Sequence, residues 1–74
     1  MKLALVTRKG CHLCDQALGA LRDLGFEPEL RDVDGDNELF ELYDWRVPVL
    51  LVDDRIVAEG RIDREVLRKA LSAH

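Results

Sequence analysis

The chain has 74 residues, of which 47% are hydrophobic and 35% charged, and its net charge is −4; this length suits one domain with one small core, read here as residues 1–74. The eleven basic residues are dispersed among fifteen acids, a pattern that argues against nucleic acid and anionic membranes as partners. No stretch approaches the roughly 18 apolar residues of a membrane span. Arg8 and Lys9 also interrupt the apolar start before a signal-peptide core is complete, so the expected location is the cytoplasm.

Residues 3–6 form a short apolar run without alternation, as expected of a central strand buried on both faces. A polar loop, residues 7–10, follows and ends in glycine. From Cys11 onward Cys14, Ala17, Leu18, Leu21 and Leu24 recur at helical spacing. Gly25 is the natural left-handed stop for this helix, and Phe26 is then placed to contact Leu21 in a Schellman ending.

Residues 28–33 read as a second, more polar strand, and the proline at its start suits an edge. Strand, helix and strand within about thirty residues imply a parallel crossover. Residues 34–37 are a turn cluster able to cap a short helix, in which Leu39, Phe40, Leu42 and Tyr43 form the expected inward face. Residues 49–52 and 55–58 flank Asp53-Asp54 and predict a tight hairpin. Asp63 is the expected N-cap of a last helix, with Ile62 and Leu67 as its hydrophobic staple and Val66, Leu67, Ala70 and Leu71 turned to the sheet.

The only two cysteines, Cys11 and Cys14, lie three positions apart where the first strand passes into the first helix. That spacing is too short to staple distant segments, so the pair points to chemistry more than to architecture. A helix N-terminus offers unpaired N–H groups and the positive end of the helix dipole, and both favour a thiolate. Cys11 is therefore the expected nucleophile and Cys14, one turn further in, the resolving thiol. His12 between them, with Lys9 and Arg8 just before, is a candidate for tuning the thiolate by charge.

Each of these residues also has a plainer reading. The cysteines can be small buried hydrophobes, His12, Arg8 and Lys9 solvated surface groups, and Asp63 simply a cap. Trp45 and Tyr43, at the end of the short helix, read as partial core, with a wall beside the site as the alternative. A zinc site is disfavoured, because four ligands are needed and only His12 and His74 remain to join the two cysteines.

The element order, with Cys-His-Leu-Cys at the first strand-to-helix junction and Val47-Pro48 before the hairpin, resembles the glutaredoxin branch of the thioredoxin-fold proteins along nearly the whole chain. It is similar in particular to small bacterial glutaredoxin-like proteins with a Trp-Arg-Val-Pro-Val stretch, here residues 45–49. The resemblance implies an α/β fold of order β-α-β-α-β-β-α, a four-stranded mixed sheet with helices on both faces. It further implies a cis Pro48 facing the cysteines and a Val47 backbone that pairs with an extended substrate.

The expected activity is thiol–disulfide exchange on proteins or glutathione mixed disulfides. No tightly bound cofactor is expected. A thiol system would regenerate the dithiol, glutathione is a candidate co-substrate, and the protein is expected to be a monomer. Lys9, Arg46, Val47, Pro48, Gly60 and Asp63 are the candidate substrate-binding residues. Three departures from the glutaredoxin pattern bear on the substrate: Cys-His-Leu-Cys replaces Cys-Pro-Tyr-Cys, Arg46 stands where threonine is usual, and Glu59 takes the place of the first glycine of a diglycine. The alternatives are a glutathione-assisted iron–sulfur or metal carrier and a redox-inactive adaptor.

Overall fold

The computed structural model describes residues 2–72. Strand β1 (Leu3–Thr7) leads into helix α1 (His12–Asp23), and β2 (Glu29–Asp32) follows. A 3-10 turn (Val33–Gly35) and helix α2 (Asn37–Tyr43) then connect to the hairpin of β3 (Val49–Val52) and β4 (Arg55–Glu59), and α3 (Arg64–Leu71) closes the order. The sheet runs β2-β1-β3-β4. β1 pairs parallel with β2 and antiparallel with β3, and β3 pairs antiparallel with β4.

The central position of β1 explains its unbroken apolar run, since alternate side chains enter different layers. Leu5 and Leu50 pack with Ala17 and Leu21 of α1, Leu67 of α3 and Ile62 just before α3. Ala4, Val6, Val49 and Leu51 pack on the opposite face with Val33, backed by Leu39, Tyr43 and Val47. Ile62 and Leu67 meet in the first layer on either side of the Asp63 cap, whose side chain accepts from the Val66 N–H at 2.9 Å.

The first helix ends as its sequence indicates. Phe26 N–H donates to the Leu21 carbonyl at 2.9 Å and Gly25 N–H to Arg22 at 3.0 Å, the paired bonds of a Schellman motif, with Gly25 at φ 87°. Asp53 and Asp54 both take positive φ in the hairpin turn, at 51° and 67°, as a two-residue connection between right-twisted strands requires.

Three expectations are corrected. Val33 does not extend β2: the Asp32 carboxylate accepts from the Asp34 N–H and starts the 3-10 turn instead, which drops Val33 into the core. In α2 only Leu39 and Tyr43, four residues apart, turn toward the sheet. Phe40 and Leu42 remain 45% and 57% exposed, because at 100° per residue each lies about 80° to one side of the Leu39–Tyr43 stripe. Trp45 is not core at all, at 94% exposed; it follows the end of α2, in the loop leading to β3.

Candidate functional site

The sheet brings the chemistry to one end. Register pairs Val6 with Val49 and Val49 with Glu59, so the segment after β1, the segment before β3 and the end of β4 emerge side by side. The cysteines follow β1, Val47-Pro48 precedes β3, and Gly60 follows β4. Between β1 and α1 the Cys11 N–H donates to the Arg8 carbonyl at 3.2 Å, closing a four-residue turn. Gly10 occupies its third position at φ 77°, where a side chain would be strained, which accounts for glycine directly before the cysteine.

Cys11 is the N-cap of α1, and its sulfur accepts the Cys14 N–H at 3.1 Å. Cys11 and Cys14 are joined as a disulfide, with Cα atoms 5.2 Å apart. Cys11 is partly exposed, whereas Cys14 is 2% exposed beneath it. One sulfur can thus meet a substrate while the other attacks only from within. His12 and Leu13, between them, are both exposed. A groove on the β2 side of the cysteines is lined by Lys9, Gly10, Cys14, Asp15, Leu18 and Leu30.

The Val47–Pro48 peptide is cis. Pro48 is buried, and its carbonyl accepts from the Gly60 N–H at 2.9 Å, so the β3–β4 ladder continues to this point. Among the described residues the N–H and carbonyl of Val47 have no hydrogen-bond partner, which leaves one residue of backbone unpaired at this end of the sheet. Asp63 caps α3 and lines a shallow groove with Gln16 and Gly19 of α1.

The cations of the site are mostly committed to internal partners. Arg8 donates to both Asp34 oxygens at 3.0 Å, to the Asp44 carbonyl at 3.3 Å and to the Asp44 carboxylate, and its guanidinium lies 5.9 Å from the Phe40 ring centroid. The hydrogen bonds with Asp34, then those with Asp44, hold Arg8 above the ordinary arginine range, and the Arg8 hydrogen bonds hold Asp34 below the ordinary carboxylate range. Arg46 donates from Nη2 and Nε to one oxygen of Glu59 at 2.6 and 2.9 Å and sits 5.6 Å from the Tyr43 ring. Lys9 is exposed and makes no ion pair among the described residues.

Arg46 and Glu59, which the sequence marks as two separate departures from the glutaredoxin pattern, are therefore the two halves of one salt bridge. The roles of Asp34 and Asp44 carry no sequence signal, because their partner Arg8 lies 26 and 36 positions away. Among the described residues no group of three or more histidine, cysteine and carboxylate side chains gathers around a metal-sized space. His74 lies outside the described residues.

The sequence model of the Glutaredoxin-like domain (DUF836) matches residues 2–72. The chain belongs to this family. Solved structures agree. A structural-genomics target protein from X. campestris, XcR50, superimposes with a TM-score of 0.86 at 36% identity, covering 97% of each chain. Protein Ne2328 from Nitrosomonas europaea gives 0.78 at 36% identity over 92% of this chain and 87% of its own. The thioredoxin-like protein BC3987 gives 0.74 at 27% identity over 95% of this chain and all of its own, 100%. No curated protein matches. This glutaredoxin-like domain thus has a thioredoxin-like α/β fold and carries its cysteine pair at disulfide distance, and no described helix is long and apolar enough to cross a membrane.

Proposed function

We propose that this protein is a thiol–disulfide oxidoreductase of the cytoplasm that uses the Cys11–Cys14 dithiol on disulfides of proteins or mixed disulfides of glutathione. The observation that carries the reading is the N-cap geometry: the outer sulfur lies against the first turn of α1 and accepts the Cys14 N–H, while the inner cysteine is joined to it from below. In the reduced form that same N–H and the helix dipole favour the thiolate at Cys11.

Cys11 as thiolate attacks one sulfur of the substrate disulfide, forming a mixed disulfide and expelling the other sulfur as a thiolate that takes up a proton. Cys14 then gives up its proton and attacks the Cys11 sulfur. This releases the second substrate thiol and leaves the Cys11–Cys14 disulfide. The substrate gains two electrons and the protein loses two, so an external thiol reductant must restore the dithiol. The open backbone of Val47 and the exposed Lys9 are the surfaces on which a substrate segment would rest. No metal or prosthetic group enters the cycle, and one chain supplies every residue named in it.

Cys14→Ser is expected to accumulate mixed disulfides at Cys11 when the reduced protein meets an excess of disulfide, whereas Cys11→Ser accumulates none. Mass spectrometry of the adducts checks this, and equal trapping by the two variants overturns the assigned order. Titration of thiols before and after mild oxidation is expected to show the loss of two per chain; no loss would favour the adaptor reading.

A further inference from the structure

Arg46 directly precedes the open Val47 backbone, and Glu59 ends the strand that flanks it. Both Arg46 hydrogen bonds fall on a single Glu59 oxygen, and the pair is only about half buried, with side chains 42% and 44% exposed. The Tyr43 ring behind the guanidinium holds it at the rim. Of the other cations at this end of the sheet, Arg8 is bound by Asp34 and Asp44, whereas Lys9, in the turn before Cys11, and Arg61, directly after Gly60, are exposed and make no ion pair among the described residues. A disulfide bearing carboxylates close to its sulfurs therefore finds Arg46 already neutralised and meets the Glu59 charge beside it. A disulfide flanked by neutral groups meets no such obstacle.

Building on the oxidoreductase reading above, we propose that Glu59 is a built-in counter-ion for Arg46 that sets the substrate class, turning away small carboxylate-bearing disulfides in favour of disulfides flanked by neutral backbone, as in an extended polypeptide. An anionic substrate gains Arg46 only by displacing Glu59, and like-charge contact with Glu59 opposes its approach.

The test is a single turnover of the reduced protein, freed of reductant, with two probes: oxidised glutathione as the anionic disulfide and bis(2-hydroxyethyl) disulfide as the neutral one. In each case the disulfide is reduced to two thiols and the Cys11–Cys14 dithiol is oxidised, so the reaction needs no further reagent. The readout is the ratio of the two second-order rate constants, anionic over neutral. Glu59→Gln is expected to raise this ratio about threefold to fivefold, the scale of a half-exposed ion pair. Adding Arg46→Gln to Glu59→Gln is expected to return the ratio toward that of the parent.

A ratio unmoved by Glu59→Gln overturns the inference while leaving the oxidoreductase reading intact. A rise that persists in the double variant also overturns it: that variant has the net charge of the parent, so the effect would belong to loss of the Glu59 side chain alone and not to the release of Arg46. Failure of the parent protein to react with either probe overturns the oxidoreductase reading, and this inference with it.

Discussion

At position 11 a single side chain has two structural duties. As N-cap it satisfies an amide of the first turn, which serine, threonine, aspartate or asparagine usually does with oxygen, and it presents its sulfur at the positive end of α1. The same bond that starts the helix favours the anion there. Reduced protein is accordingly expected to take up one equivalent of iodoacetamide at Cys11 before Cys14 reacts, since Cys14 is 2% exposed. The rate at Cys11 is expected to level off below the pH range in which an ordinary thiol, near 8.5, ionises. Alkylation followed by peptide mapping across pH checks this; a rate still climbing through that range, or equal labelling of both cysteines, refutes the role given to the cap.

Among the elements, α1 is the one whose limits are set most completely by local chemistry, with a sulfur cap at its start and a Schellman pair at its end. Gly25 stands at φ 87° with open space where a Cβ would project, so Gly25→Ala meets strain in the backbone and none from packing. The expected cost is about 1 kcal/mol, read as a lower urea midpoint at unchanged slope; an unchanged midpoint overturns it. Elements of this kind were legible from sequence because their signals are local: Gly25 and Phe26 after α1, Asp63 between Ile62 and Leu67, Asp53-Asp54 between two apolar runs. The α2 region was less legible. Seven residues make barely two turns, so Phe40 and Leu42 looked equivalent to Leu39 and Tyr43 until the sheet fixed which stripe faces inward. Trp45 misled for a related reason: its apolar surface suggests burial, but the chain turns to enter β3 at this point and leaves the ring outside. In the candidate site the cysteines and Val47-Pro48 stood out by type and spacing. The pairing of Arg46 with Glu59 did not, because it depends on the loop before β3 meeting the end of β4 beside it.

Across the whole molecule, Arg8 connects the segments that surround the cysteines. Its backbone carbonyl closes the turn to Cys11, while its side chain reaches Asp34 in the 3-10 turn and Asp44 at the end of α2. The loop carrying the cysteines and the loop leading to Val47 are therefore fastened through one guanidinium, and 31% of its side chain remains exposed to solvent. Arg8 holds the Asp34 carboxyl below its ordinary value of 3.8, which gives the fastening a definite pH dependence. A carboxylate whose folded pKa is depressed adds stability that is present above the unfolded value and disappears as pH falls below it toward the folded one. Arg8→Gln is thus expected to lower the urea midpoint at neutral pH, by a modest amount because both groups are partly solvated. The gap between variant and parent is expected to narrow as pH drops through 3.8 and below, since protonating Asp34 removes in the parent what the substitution has already removed in the variant. Asp34→Asn provides the matching measurement, with the same convergence expected in acid. A gap that stays constant from neutral pH into acid would mean that Arg8 holds these loops by packing on Phe40 and by its bond to the Asp44 carbonyl, with the Asp34 charge contributing nothing.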